Sequence, residues 1–334
     1  MHASLRLLSC AGKGNIFSFY CRWVQFSPHP DKQETGGEDA FLSLLGVQAV
    51  LDGVSWWKEH RTVDAGLYSA ALAREMHAYA EEELMGANPS SSLDVLQYAY
   101  DVCRADEIEG TATALVATLQ PPRDDGKEVA AAHKARCCTN PILDICSLGD
   151  CTAVLVRRGR VVFVSSEQTH DLDFPYQLGK GSSDTPVRAL NYRVPVESGD
   201  LLLLGSDGVF DNLYPNRVAD IVWSSVNRVR MEHEVDNSNS PWKNNPLMFY
   251  DSMMHALAKG SEDVIREARY AARDLHADTP YAHKALEGGV YYEGGKQDDM
   301  TLLVSVIDEE SEMGAGERIM RSTVLNPYPY RDWP

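Results

Sequence analysis

The apolar positions of this chain fall into short runs cut by turn residues, alternating with stretches of helical period. Leu201, Leu202, Leu203 and Leu204 form a run that stops at Gly205. It is too short for a helix and apolar at consecutive positions, which predicts a strand buried on both faces. Gly46 to Leu51 and the AFLSLL run after Asp39 read the same way, as do ATALVATL, ILDICSL, TAVLVR, VVFVS and MTLLVSVI. A helix is predicted from about Thr62 to Met85, capped by Thr62 and ended by Gly86, because Tyr68, Leu72, Met76 and Tyr79 recur at spacings of four, four and three. A second follows Ser92 with the stripe Leu93, Leu96, Tyr100 and Cys103, and the pair suits one face of a sheet. Further helices are expected from about Pro215 to Arg230 and from Leu247 to Leu275, the latter interrupted near Gly260. The strands between Gly110 and Ser165 read as an antiparallel meander, residues 165–195 as a long loop, and NSNSPWKNNP as a loop by composition.

Several of these strands begin or end on an acid. The leucine run enters Gly205-Ser206-Asp207-Gly208, and Gly46 to Leu51 enters Asp52-Gly53. In the reverse order, Gly37-Glu38-Asp39 precedes one run and Gln297-Asp298-Asp299 another, while Leu148-Gly149-Asp150 adds an aspartate after ILDICSL that a tight hairpin turn alone would explain. If these strands are antiparallel neighbours, the end of one lies beside the start of the next, and the acids meet on one rim. Such carboxylates repel one another and raise their own pKa values unless cations neutralise them. An oxygen-only donor set without His or Cys suits a hard divalent ion such as Mg2+, Mn2+ or Ca2+.

Composition narrows the class. A chain of 334 residues with 44% hydrophobic content can bury a large core, and no internal repeat or linker divides it. With 31 basic against 49 acidic residues and a net charge of -18, it has no basic stripe, so nucleic acid is excluded as an expected partner. No apolar run is long enough to span a bilayer. The seven cysteines, without a CxxC pair, read as reduced thiols filling the core. Residues 1–30 contain Arg6, Lys13 and Arg22 and no acid before Asp31, the pattern of a mitochondrial targeting segment, although Ile16 to Phe26 also alternates as a first strand would. The tail 308–334 is acidic, then rich in Pro and Tyr.

GEDAF, LDGVSWW, TATALVATL, SLGDCTAVLVRRG, LLLLGSDGVFDN and GGKQDDMTLLV, in this order, resemble the metal-dependent protein phosphatases of the PPM (type 2C) family over roughly residues 36–307. DGV followed by Trp, EQTHDLDFPYQL and the TPYAHKAL to GGKQDDMT segment look most like its mitochondrial branch. The resemblance implies an α+β fold, a four-layer α-β-β-α arrangement in which an antiparallel β-sandwich is flanked by helix pairs, within residues 31–307. It implies a monomeric serine/threonine phosphatase acting on phosphoproteins with two Mg2+ or Mn2+ ions, in mitochondria or, alternatively, the cytoplasm. Carried over by position, Asp52 bridges both ions, the Gly53 carbonyl binds one, Asp207 and Asp298 hold the other, and Glu38 and Asp39 act mainly through bound waters. Asp150 and Asp211 match positions that hold a third, weaker ion in some relatives, and Asp299 stands where the family commonly has Asn. The family's phosphate-clamping Arg is replaced by Glu34, with Lys32 nearby, and its His after the Asp-Gly pair by Val54. The alternative is a catalytically silent binding or regulatory protein of the same fold, but degenerate members usually lose a metal aspartate and this chain keeps Glu38, Asp39, Asp52, Asp207 and Asp298.

Overall fold

The structure, a computed structural model, describes residues 17–54, 64–83, 90–121, 141–234 and 246–309. In chain order the elements are β1 (Phe17–Ser27), β2 (Ala40–Ser43), β3 (Val47–Leu51), α1 (Ala65–Glu83), α2 (Ser92–Ala105), β4 (Thr111–Ala112), β5 (Ala114–Gln120), β6 (Ile142–Leu148), β7 (Thr152–Arg157) and β8 (Arg160–Val164). There follow β9 (Thr169–Asp171), β10 (Phe174–Pro175), β11 (Leu178–Gly179), β12 (Leu190–Pro195), β13 (Asp200–Gly205), α3 (Asp207–Phe210), α4 (Pro215–Glu234), α5 (Pro246–Ala271), α6 (Pro280–Glu287) and β14 (Met300–Glu309). Two five-stranded antiparallel sheets, ordered β12-β6-β5-β3-β2 and β1-β14-β13-β7-β8, stack face to face. Helices α1 and α2 cover the first and α4 and α5 the second, giving the four layers α-β-β-α.

The leucine run shows why both faces of the central strands must be apolar. Leu202 and Leu204 join the core between the sheets with Phe19, Val50, Leu115 and Leu303, whereas Leu201 and Leu203 point into the layer beneath α4 and α5. All four leucines are fully buried, each contributing on the order of 1.5–3 kcal/mol by transfer from water. Opposite, Tyr68, Leu72 and Met76 of α1 and Leu96 and Cys103 of α2 pack on the other sheet, as their spacing predicts. Helix α2 starts one residue earlier than its stripe suggests, at a capping box in which the Ser91 and Asp94 side chains exchange bonds with each other's backbone N–H. Thr62 and Gly86, the expected cap and stop of α1, lie outside the described residues.

Four expectations change. The strands after Gly110 are not one meander: β5 and β6 belong to the first sheet and β7 and β8 to the second, so Gly149-Asp150 is a crossing between sheets rather than a hairpin turn. Gly149 has φ 108° and its missing Cβ would lie 2.6 Å from Thr113 Cβ, so only glycine fits this crossing. Residues 165–195 carry the β9–β10 hairpin, β11 paired with β4, and β12, an edge strand of the first sheet. Gly260 does not interrupt α5; it lets α4 approach closely, since a Cβ there would stand 3.1 Å from Val222 Cα. Finally, Phe17–Ser27 is a strand paired along its length with β14, so a removable targeting segment would have to precede it, among residues outside those described.

The four described cysteines, Cys21, Cys103, Cys146 and Cys151, are buried, and burial pushes the thiols of Cys103 and Cys146 up to about 12. A polar link between β3 and β14 crosses the apolar sandwich. The fully buried Gln48 of β3 donates to Ser305 Oγ of β14 at 2.5 Å, and the hydroxyl lies 2.7 Å from Gln48 Oε1. Replacing Ser305 with Ala strands a buried amide and is expected to cost about 1–3 kcal/mol in urea unfolding, whereas the double change Gln48→Leu, Ser305→Ala should recover most of that loss. A single variant as stable as wild type would show that the link contributes nothing.

Candidate metal centre

Register brings the acids together. Ala40 pairs with Leu51, which places Asp39 and Asp52 side by side at one end of the first sheet. In the second sheet Gly205 pairs with Leu302, which brings Ser206-Asp207 beside the start of β14, where Asp298 and Asp299 lie. The two sheets are pinned at this end by Ser206, whose hydroxyl donates to Asp39 Oδ2 at 2.8 Å and accepts from Thr301 N at 2.9 Å. Close backbone approach requires two glycines here. A Cβ on Gly53 would lie 2.5 Å from the Glu38 carbonyl oxygen, and one on Gly208 2.0 Å from that of Asp299. Asp150 reaches the same rim from the crossing between the sheets, and Asp211 from the turn that ends α3.

Asp299 has a role that its position in the sequence did not disclose. Buried, it accepts from His29 N at 2.6 Å, Glu38 N at 2.9 Å and Lys32 Nζ at 2.9 Å, so it fixes the 29–38 segment from below. Lys32 also bonds Glu38 Oε2 at 2.6 Å. Glu34 is exposed and takes no part, so Lys32 is the cation that this segment presents. Val54 bonds Thr111 through its backbone and offers no side-chain proton.

On the other side Lys296 is the hub. Its Nζ lies 2.7 Å from Asp207 Oδ2, 3.0 Å from Asp211 Oδ2 and 3.4 Å from both Asp298 Oδ2 and Asp173 Oδ1. Sequence reasoning passed over it, although it stands two residues before Asp298 inside an acid motif. His170, by contrast, is structural as expected: it bonds Asp184 at 2.8 Å and stacks on Tyr176.

Withdrawal from solvent sets the electrostatics. Burial, then Asp299, pushes Asp39 up to about 8, and burial with Asp207 pushes Asp298 up to about 7. Asp52 rises for the same reasons, burial first and then Asp207 and Asp39, and so does Asp150. Burial, the largest single influence, would raise Asp207, but Lys296, Asp52 and Lys284 together outweigh it and hold Asp207 below the usual carboxylate range. Among the described residues, no three Asp, Glu, His or Cys groups are already arranged as a coordination shell; ammonium groups lie between the acids. The donor set nevertheless fits a hard divalent ion. Asp150 Oδ1 and Asp207 Oδ1 are buried and, among the described residues, accept no hydrogen bond, which costs free energy unless a cation satisfies them.

"Probable protein phosphatase 2C 26" of Arabidopsis thaliana is 32% identical over 289 residues, a match covering 84% of this chain and 81% of that relative. The chain belongs to the protein phosphatase 2C family. "Probable protein phosphatase 2C 55" of the same plant is 32% identical over 293 residues, and the chain spans only 52% of its length. "Protein phosphatase PTC7 homolog fig" of Drosophila yakuba is 29% identical over 285 residues, with 76% of it covered. Among solved structures, the photosystem II phosphatase PBCP matches with a TM-score of 0.63 and 27% identity, over 87% of this chain and 99% of that one. The catalytic domain of the phosphatase PstP in complex with two manganese ions matches with a TM-score of 0.52 at 12% identity, covering 88% of this chain and all of the other, a likeness of fold. No protein-family model matches the sequence.

The raised acids make stability depend on pH. The folded chain keeps protons on Asp39 up to about 8 and on Asp298 up to about 7, while unfolded carboxyls lose theirs near ~4. The folded state therefore binds more protons in that window, and these groups withdraw stability from the metal-free protein as pH rises through it. Thermal melts in chelator should show Tm falling from ~pH 5 to ~pH 8, with a shallower fall in Asp39→Asn. Parallel curves for the two proteins would contradict the assignment of a raised pKa to Asp39.

Proposed function

We propose that the chain is a metal-dependent serine/threonine protein phosphatase that hydrolyses phosphoserine and phosphothreonine in protein substrates. The observation that carries this reading is the acid rim itself: oxygen donors from both sheets converge where the buried Asp150 Oδ1 and Asp207 Oδ1 have no hydrogen-bond partner among the described residues. Membership of the protein phosphatase 2C family and the names of the relatives support it. Asp52, Asp207 and Asp298 would hold two Mg2+ or Mn2+ ions with the Gly53 carbonyl, and Glu38 and Asp39 would complete the set. When bound, such ions supply a hydroxide nucleophile at neutral pH and screen the phosphate oxygens. The protein's own part is positioning. Ser206 fixes the Asp39 carboxylate, Asp299 fixes the backbone of Glu38, and Lys296 binds one oxygen of Asp207 so that the other faces the rim. Lys32, rather than the exposed Glu34, puts positive charge at the edge where a phosphate would enter.

Among the described residues no helix is long and apolar enough to cross a membrane. The acid-free N-terminal residues support a mitochondrial address, with the cytoplasm as the alternative. A fluorescent fusion of residues 1–35 should co-localise with mitochondria, and diffuse signal from both the fusion and the full-length protein would reject the address.

Purified protein should release phosphate from phosphoserine and phosphothreonine peptides with Mn2+ or Mg2+ and lose the activity in excess chelator. Changing an indirect metal neighbour commonly costs 10–100-fold, so Asp52→Asn, at a direct ligand, should cost about 100-fold or more. Its metal-free melt should not fall, because one charge leaves a repelling cluster. Full turnover in chelator, or wild-type turnover in Asp52→Asn, would overturn the reading; a folded, metal-binding protein silent on every phosphopeptide would favour the binding alternative.

A further inference from the structure

The rim divides into acids that are open and an acid that is closed. Asp150 Oδ1 and Asp207 Oδ1, among the described residues, accept no hydrogen bond. Asp211, equally buried, has both oxygens taken: Oδ1 lies 3.0 Å from Lys284 Nζ and Oδ2 3.0 Å from Lys296 Nζ. We propose that Lys284 and Lys296 form a fixed pair of positive charges that takes the place of a third ion, so that the chain binds two divalent cations at this rim and Asp211 holds ammonium groups instead of metal. The inference rests on the two-metal reading and revises only its outer corner, where Asp150 and Asp211 were expected to share a weaker ion.

Both ammonium groups are built into place. The Asn212 side chain grips the backbone of Lys296, donating to its carbonyl at 2.7 Å and accepting from its N–H at 3.0 Å, while the same amide donates to Gly208 O at 2.8 Å. Lys296 Nζ also sits 5.2 Å from the centre of the Tyr281 ring. Lys284 projects from α6, whose start is fixed by Thr279: its hydroxyl accepts from Ala282 N and donates to Gly294 O at 2.7 Å. The same first turn is tied to Asp211 itself, because Tyr281 N donates to the Asp211 carbonyl at 3.0 Å. A second acid, Glu167, lies 2.6 Å from Lys284 Nζ and keeps that ammonium at the corner.

A divalent ion on Asp211 would have to expel two ammonium groups that other acids also bind, or sit beside like charges. An ion on Asp207 Oδ1 need not displace Lys296 from that residue, since Lys296 bonds its Oδ2. The positive charge at the Asp211 corner is therefore present at any metal concentration. The 165–173 segment is held by the same cations, through Glu167 to Lys284 and Asp173 to Lys296.

The test is a metal count on the full chain by equilibrium dialysis against Mn2+, with bound metal measured by mass spectrometry. Wild type should saturate at two ions, Asp211→Asn should also hold two, and the double variant Lys284→Gln, Lys296→Gln should gain a third on the vacated Asp211, Glu167 and Asp150. Three ions in wild type falling to two in Asp211→Asn would overturn the inference while leaving the two-metal reading intact, as would a folded double variant that stays at two. If the double variant does not fold, the comparison of wild type with Asp211→Asn still decides. A wild type that binds no Mn2+ would overturn the two-metal reading and this inference with it.

Discussion

The constraint on which this end of the molecule depends is the cost of holding carboxylates together away from water. Asp39, Asp52, Asp207, Asp298 and Asp299 are delivered there by backbone register, joined by Asp150 from the crossing between the sheets and Asp211 from the turn that ends α3, and the fold cannot disperse the first five without giving up the pairing of β2 with β3 and of β13 with β14. Each is compensated differently. Asp299 is satisfied by two backbone N–H groups and Lys32, Asp211 by two lysines, and Asp207 by Lys296 on one oxygen. Asp39 and Asp298 keep protons to higher pH than exposed acids do. The acids left with open oxygens or raised pKa values are the ones a divalent cation would relieve, so the same imbalance that weakens the metal-free fold would provide affinity for metal.

The scaffold around the rim is arranged to keep those groups from relaxing apart. The buried leucines of β13 anchor the strand on both faces, Ser206 couples the two sheets, and Gly53 and Gly208 admit contacts that any side chain would force open. Catalysis by fixed charges requires donors that do not reorganise during the reaction, and a strand end locked by a packed core meets that requirement better than a free loop does.

The parts legible in the sequence are those set by local pattern. The leucine run, the runs before Asp52 and after Asp39 and Asp298, and the stripes of α1 and α2 gave the strands, the helices and the meeting of acids at strand ends, because side-chain period and antiparallel register are short-range properties. Which sheet a strand joins is not short-range. β7 follows β6 after a brief turn yet lies in the opposite sheet, and only the close contact of Gly149 with Thr113 marks the crossing. The cations were illegible for a related reason. Lys284 reaches Asp211 from a helix 73 residues further along the chain, a distance that no local pattern spans. Lys296 did carry a local signal, its place two residues before Asp298, and Lys32 stood close to the segment where the family has Arg.

Proton release most directly tests whether uncompensated charge governs this site. Mn2+ can be titrated calorimetrically into the metal-free protein near pH 7, in buffers of different ionisation enthalpy, to count the protons expelled on binding. With Asp39 raised to about 8, Asp298 to about 7 and Asp52 also raised, the account predicts net release of at least about one proton per chain, and less in Asp39→Asn. Saturable binding at the same site with no proton released in any buffer would contradict it.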